Sequence, residues 1–183
     1  MKWVTRSHVH VDRVACPWLI TRFVDNEAEF LFVPKNQVDK IAAETGAIPF
    51  DAPGVELGHH DGRCSFESIL AKYELKDPAL LRLAKIVHAA DVAADIDTDP
   101  IARGFEAIAV GYSLRFPEDE ENLAHQFEVD QLGHRLLAVL EQLEQPQAHR
   151  VPEAPDDAGG PVQDVGFNGE LGLGHISIFR CRW

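Results

Sequence analysis

Residues 54–91 contain two predicted helices and most of the side chains that could carry chemistry. They read GVELGHHDGRCSFESILAKYELKDPALLRLAKIVHAAD. A polar loop within this stretch holds His59 and His60 between glycines. We predict that a helix begins directly after Cys64, with Glu67 in its first turn. An imidazole, a thiol and a carboxylate therefore fall close together in the sequence.

A second helix is predicted to begin at Asp77 and Pro78, because Asp caps helix N-termini well and Pro suits the first helical position. Its apolar residues recur with helical spacing. They are Leu80, Leu81, Leu83, Ala84 and Val87. His88 and Asp91 lie three residues apart near its end, which places them at neighbouring positions on one helical face.

The loop and the two helices together predict a divalent metal site with two imidazole and two carboxylate ligands. The predicted ligands are His59, Glu67, His88 and Asp91. This set suits Zn, Mn or Fe about equally, and ligation by Cys64 would favour Zn. The alternative is that these histidines are ordinary surface or core residues, since nine histidines in 183 residues place some near carboxylates by chance.

The composition is that of a globular protein with one main domain. The chain has 45% hydrophobic and 26% charged residues. No N-terminal signal segment and no apolar run of about 18 residues is visible, so we expect no membrane association. Three cysteines, an odd number, favour reduced thiols and a cytoplasmic protein.

The charge balance argues against nucleic-acid binding. Seventeen basic and thirty acidic residues give a net charge of −13, which repels phosphate backbones. We therefore expect no binding to DNA or RNA.

The order of predicted elements indicates an α+β fold, mostly helical, with a small sheet built from N-terminal strands. Strands are predicted at Lys2–Arg6 and Ala28–Val33, and a helix is predicted to begin at Pro17 with Cys16 as its N-cap. This domain is predicted to cover residues 1–145. Residues 146–183 are rich in Pro and Gly and are predicted to form a tail that ends in a possible edge strand, HISIFRCRW.

Two cysteines and three arginines are further candidates for chemistry. Cys16 and Cys64 fall at predicted helix N-termini, where the helix dipole favours the thiolate. Cys64 is the candidate reactive thiol, and the alternative for both is a small buried apolar residue. Arg13, Arg22 and Arg63 flank these segments and suit paired hydrogen bonds to an oxyanion, whereas surface ion pairs are the alternative.

Several segments together resemble the C-terminal domain of the chromate resistance protein B family, over about residues 2–140. They read KWVTR, DRVACPWLITRFVD, AEFLFVP, GAIPFDAPGVELGHHDGRCSFE and DPALLRLAKIVHAAD. The residues at the family's motif positions are Asp12, Arg13, Cys16, Pro17, Trp18, Arg22, His59, Cys64, Phe66, Glu67, His88 and Asp91. The resemblance favours His59 over His60 as the loop ligand.

This resemblance implies a role in chromate resistance, as a sensor or as an accessory to export, with chromate or another small oxyanion as a possible partner. Longer members carry an N-terminal regulatory segment. The present chain begins at the resembling domain, so we do not expect it to act as a repressor.

Three functional hypotheses follow. The first is a metal-binding protein of the chromate or metal-stress response. The second is a metalloenzyme, an oxidoreductase or a hydrolase, with an open metal position and an arginine-assisted oxyanion site. The third is a protein-interaction module, which would hold no metal and would expose an apolar patch. The sequence does not decide between catalysis and binding, and it does not define the oligomeric state.

Overall fold

Three parallel strands form the sheet in the computed structural model, which describes residues 1–144 and the side chains up to residue 140. The strands are β1 (Lys2–Arg6), β2 (Glu29–Val33) and β3 (Ile48–Pro49), in the order β2-β1-β3. Each connection carries a helix: α1 (Asp12–Leu19) precedes β2, and α2 (Val38–Thr45) precedes β3. Parallel neighbours require such long crossovers.

The carboxyl ends of the parallel strands meet at one edge of the sheet. Trp3 of β1 lies opposite Phe30 of β2 and Ile48 of β3. As a result, Arg6 at the end of β1 and Asp51 just beyond β3 reach the same edge. In open parallel sheets this edge is where ligands usually bind.

The predicted start of the first helix is wrong. Helix α1 begins at Asp12, and Pro17 lies inside it. A proline in a helix interior removes a backbone donor and crowds the preceding turn. The chain adjusts directly afterwards with a wider π-helical turn at Ile20–Val24, so Cys16 lies within the helix and not at its N-cap.

The helices of the central stretch are as predicted. Helix α3 (Ser65–Lys72) follows Cys64, and α4 (Pro78–Asp91) is capped by Asp77, whose Oδ1 accepts a hydrogen bond of 2.9 Å from Leu80 N. Two further helices follow, α5 (Ala102–Arg115) and α6 (Asp119–Glu144). Helix α4 packs against both of them.

The main core lies between the sheet, α1, α3 and α4. Its largest fully buried side chains include Trp3, Trp18, Phe50 and Phe66. These aromatic residues come from four separate segments, so their burial fixes the positions of β1, α1, β3 and α3 relative to one another. The same segments carry the polar residues described below.

The predicted α+β class, mostly helical with a small N-terminal sheet, is confirmed. The described residues all belong to one compact unit, Met1–Pro146. The predicted tail, residues 146–183, and its possible edge strand lie outside the described residues, and the boundary at residue 145 stays a prediction. Within residues 1–144, no helix combines the length and the apolar character that a bilayer span needs.

Candidate metal centres

One group of candidate ligands surrounds the imidazole of His59. Its Nε2 atom lies 3.2 Å from Asp91 Oδ2 and 3.3 Å from Asp12 Oδ2. A third carboxylate oxygen, Asp51 Oδ1, lies 3.5 Å from the same nitrogen. We call these four residues the His59 cluster. Asp12 and Asp51 are buried, whereas the His59 side chain keeps 41% of its surface exposed, so the cluster opens to solvent on the imidazole side.

Asp12 is held by the N-terminus of helix α3. Its Oδ2 accepts a hydrogen bond of 2.8 Å from Ser65 N, and its Oδ1 accepts one of 3.1 Å from Phe66 N. The Cys16 thiol also donates to Oδ1, at 3.1 Å. Asp12 thus satisfies two of the free N–H groups at the start of α3 from a different helix, which fixes the carboxylate beside His59.

Asp51 is held by arginines and by a serine. Arg6 donates to Asp51 Oδ2 at 2.8 Å and to the Asp51 carbonyl oxygen at 2.8 Å. Arg13 Nε lies 3.5 Å from Asp51 Oδ2, an ionic contact without hydrogen-bond geometry. Ser65 Oγ donates to Asp51 Oδ1 at 3.0 Å. Asp51 therefore stands between two guanidinium groups and the imidazole.

The electrostatics of the His59 cluster favour a positive charge at its centre. Hydrogen bonds to Asp12, which has the larger effect, and to Asp51 raise the pKa of His59 to about 10. Burial, together with the charges of Asp12 and Asp51, raises the pKa of Asp91 to about 6. Burial alone would also raise the pKa of Asp51, but the His59 hydrogen bond and the charges of Arg6 and Arg13 lower it.

A second group of candidate ligands lies at the other side of the α3 N-terminus. Glu67 Oε2 accepts hydrogen bonds from Cys64 N at 2.9 Å and from His88 Nδ1 at 2.7 Å. His88 Nε2 lies 3.1 Å from Asp95 Oδ2. The Cys64 Sγ atom, a Glu67 oxygen and a His88 nitrogen all lie within 4.8 Å of one another. We call these residues, with Asp95, the Cys64 cluster.

The expected low pKa of the Cys64 thiol is wrong for the metal-free protein. Burial raises this pKa well above its usual range, and the negative charges of Asp12 and Glu67 raise it further. Hydrogen bonds from the N-terminus of α3 act in the opposite direction but do not compensate. Cys16 shows the same effect, mainly because it is completely buried. It packs in the core, as the alternative interpretation expects, and its thiol also donates to Asp12.

Two clefts open beside the Cys64 cluster. One has a volume of about 590 Å³ between α3 and α4 and is bordered by Arg63, Glu67 and Lys85. The other has a volume of about 290 Å³ and is bordered by Glu67, Lys85 and His88. Glu67 and Lys85 line both of them, so small solutes can approach the Glu67–His88 pair from solvent.

The four predicted metal ligands divide into two pairs. His59 and Asp91 belong to the His59 cluster, whereas Glu67 and His88 belong to the Cys64 cluster. No single group with all ligand atoms within 4.8 Å contains all four among the described residues. Although His88 and Asp91 share a helical face, the His88 imidazole contacts Glu67 and the Asp91 carboxylate contacts His59.

The three predicted oxyanion-binding arginines have different surroundings. Arg13 is half-buried beside Asp51. Arg63 is exposed at the larger cleft, and Arg22 is exposed on the π-helical turn after α1. Arg13 and Arg63 therefore lie beside one candidate centre each, while Arg22 has no described contact with either.

Sequence reasoning did not identify Asp51 and Asp95, and it named Asp12 only at a motif position of the family, not as a metal ligand. Asp12 contacts residues 53 and 54 positions further along the chain, a distance that local periodicity does not register. The alternation of short strands with helices contained a usable signal, because it predicts parallel strands whose carboxyl ends meet. From this alternation one could have predicted that Arg6, the start of α1 and Asp51 lie at the same edge of the sheet.

Comparison with known proteins identifies the family. The family model for the ChrB C-terminal domain matches residues 3–134. Protein ChrB of Cupriavidus metallidurans is 36% identical over 149 residues, which are 80% of this chain and 42% of that protein. The chain thus spans less than half the length of this relative. No solved structure matches the chain. The chain belongs to the ChrB family, the chromate resistance family that its motifs resemble.

Proposed function

We propose that this ChrB-family chain is a cytoplasmic metal-binding protein of the chromate or metal-stress response, acting as a sensor or as an accessory to export. The observation that carries the proposal is the convergence of three carboxylate oxygens on one imidazole nitrogen, at 3.2–3.5 Å, in the His59 cluster. Two of these carboxylates are almost fully buried. Buried charges are usually paired or coordinate metals.

A positive charge must balance this arrangement. The guanidinium groups of Arg6 and Arg13 lie beside one of the three carboxylates, Asp51, so the three carboxylates and the two guanidinium groups together carry one negative charge. A proton on His59 makes the group neutral, and a divalent cation in place of that proton leaves one positive charge. The remaining charge can attract a small anion, which supports chromate or a related oxyanion as a partner of the bound metal.

The proposed ligands of this centre are Asp12, His59 and Asp91, with Asp51 beside them. Oxygen-rich sets with one imidazole suit Mn²⁺, Fe²⁺ or Zn²⁺. The other predicted ligands, Glu67 and His88, lie in the Cys64 cluster and are not needed here. Ser65 N and Phe66 N hold Asp12 in place, in the way that outer hydrogen bonds commonly orient metal-binding carboxylates.

Metal stoichiometry tests the proposal. Untagged protein is stripped with a chelator, dialysed against Mn²⁺ or Zn²⁺, and subjected to elemental analysis. We expect His59→Ala to lose one bound equivalent. His60→Ala is the matched control, because the His60 side chain is also exposed and, among the described residues, its ring contacts the Glu56 carbonyl, Asp61 and Ser68 and none of the proposed metal ligands. Equal metal content in both variants would contradict the proposal.

A metalloenzyme is the second candidate function. It is favoured by the exposure of His59, which leaves one side of the cluster open to a water molecule or a substrate. A closed coordination sphere would favour sensing instead. In Co²⁺-loaded protein, visible absorption that shifts when a small oxyanion is added would indicate an open position, and an unchanged spectrum would favour sensing.

The role in chromate resistance is tested in cells. A host that lacks its own copy should survive chromate better with the wild-type chain than with His59→Ala, at equal protein levels. Equal survival with the wild type and with His59→Ala would show that the His59 cluster has no role in chromate resistance.

We expect no binding to duplex DNA at physiological salt, because of the net charge of −13. A sequence-specific gel shift at submicromolar protein would contradict this.

A further inference from the structure

The Cys64 cluster combines a thiol, a carboxylate and an imidazole from separate parts of the fold. Cys64 precedes α3, Glu67 lies in its first turn, and His88 lies near the end of α4. We infer that this cluster is a second metal site, specific for a thiophilic divalent cation such as Zn²⁺. It is separate from the metal centre of the proposed function, and either site can exist without the other.

The geometry supplies three protein ligands. The Cys64 Sγ atom, a Glu67 oxygen and a His88 nitrogen lie within 4.8 Å of one another, so that one ion can contact all three after small side-chain movements. Three protein ligands with one remaining position are typical of zinc sites that bind water or substrate. The sulfur ligand separates this site from the oxygen-rich His59 cluster, because thiolates select Zn²⁺ and other soft cations.

Asp95 extends the arrangement around His88 in the way a metal site requires. Its carboxylate lies 3.1 Å from His88 Nε2, while His88 Nδ1 faces Glu67 at 2.7 Å. A metal-bound histidine commonly donates its other ring N–H to a carboxylate, which fixes the tautomer and the ring orientation. Asp95 can fill this role on one side of the ring while Nδ1 binds the ion on the other.

A competing interpretation is a helix cap joined to an ion pair. In that case Glu67 caps α3, His88 is a charged partner of two carboxylates, and Cys64 is a buried apolar residue. In this interpretation the Cys64 sulfur has no role beyond packing. The interpretation also leaves Cys64 buried in a negative environment, since the carboxylates of Asp12 and Glu67 both lie close enough to act on it. The same negative charges attract a cation, and a bound cation displaces the thiol proton.

The clefts give the site access to solvent. Glu67 borders both clefts, and His88 borders the smaller one. The ammonium-bearing side chain of Lys85 also borders both clefts. We therefore expect water or a small anion to complete the coordination of the ion.

Cobalt titration tests this inference. Untagged, metal-free protein in a Cys181→Ser background is titrated with Co²⁺, which gives a thiolate-to-metal absorption band in the near ultraviolet when sulfur is a ligand. We expect two bound equivalents and one such band. Cys64→Ser should remove the band and one equivalent while α3 still forms, because Ser is a favoured N-cap residue. Cys16→Ser, the matched buried control, should keep the band.

The variants separate the two sites. His59→Ala should lose the other equivalent and keep the band, so failure of the proposed function does not remove this signal. Asp95→Asn should keep the band and weaken Co²⁺ binding about 10- to 100-fold. The inference is overturned if the parent shows no band, if the band survives Cys64→Ser, or if His88→Gln and Asp95→Asn both bind Co²⁺ as the parent does.

Discussion

The His59 cluster and the Cys64 cluster are organised by the same helix N-terminus but differ in how their charges are held. At the start of α3, Asp12 accepts hydrogen bonds from two backbone N–H groups, while Glu67 accepts one from Cys64 N. Buried carboxylates dominate the first cluster and are balanced by arginines. The second mixes three kinds of side chain beside open clefts.

This difference shows that a single helix terminus can position two sets of ligands with different chemistry. The backbone N–H groups of Cys64, Ser65 and Phe66 mark the start of α3: the first donates to Glu67 of α3 itself, and the other two donate to Asp12 of α1. Because these donors are fixed by the helix, the carboxylates that accept from them are fixed as well. We therefore expect changes at Asp12 to disturb both clusters and changes at Glu67 to disturb one.

The largest effect is expected for Asp12→Ala. It leaves the buried N–H groups of Ser65 and Phe66 without acceptors and removes a partner of His59. We expect the free energy of unfolding to fall by about 3–5 kcal/mol, since one partner of a buried charged network is removed. Urea unfolding of the metal-free protein measures this change.

Glu67→Gln is the matched comparison for Asp12→Ala. The Gln side chain can still accept from Cys64 N, so we expect a loss of only about 1 kcal/mol. Similar losses in the two variants would contradict the idea that Asp12 connects the clusters.

A smaller effect is expected for the pH dependence of stability in the metal-free protein. The pKa of His59 is raised to about 10 in the folded state, against about 6.5 in an unfolded chain. Its contribution is therefore fully present below about pH 6.5 and is lost as the pH rises towards 10. Because the imidazole is 41% exposed, we expect solvent screening to limit this contribution to about 1–2 kcal/mol.

The control for the pH prediction is the neighbouring histidine. In urea unfolding between pH 6 and pH 10, His59→Gln should remove the decline that His59 causes, and His60→Ala should retain it. An identical slope in the wild type and His59→Gln would show that His59 does not hold an extra proton in the folded state.

Local sequence signals predicted the parts of the site that depend on neighbouring residues. The cap at Asp77 and the start of α3 after Cys64 are correct, because the groups that define them lie within one helical turn. The predicted helix start at Pro17 is wrong, because tertiary packing and a π-helical turn allow α1 to begin at Asp12. A local preference was outweighed there by the packing of Trp18 in the core.

The grouping of the ligands depends on contacts that are distant in sequence. The sequence identified His59, Glu67, His88 and Asp91 but joined them into one site, because helical spacing puts His88 beside Asp91. The structure instead directs His88 to Glu67, 21 residues away, and Asp91 to His59. The pKa of the Cys64 thiol was expected to be low but is raised, because burial, which depends on distant residues, outweighs the effect of the helix N-terminus.

The smallest effect is expected for thiol reactivity. Burial raises the pKa of both Cys16 and Cys64, so alkylation of either in the folded, metal-free protein should be slow at neutral pH. Mass spectrometry should show that both rates rise with urea as the protein unfolds. Alkylation of Cys64 in the folded protein at neutral pH, much faster than that of Cys16, would restore it as a reactive thiol and sharpen the difference between the clusters.

Proton release on metal binding tests the central claim most directly. If a divalent cation replaces the proton of His59, binding should release about one proton per ion at pH 7. Calorimetric titration of the metal-free Cys64→Ser variant with Mn²⁺, in two buffers of different ionisation enthalpy, measures this number at the His59 cluster alone. The account predicts about one proton released and no binding after the further change His59→Ala. Binding without proton release, or binding that survives His59→Ala, would contradict it.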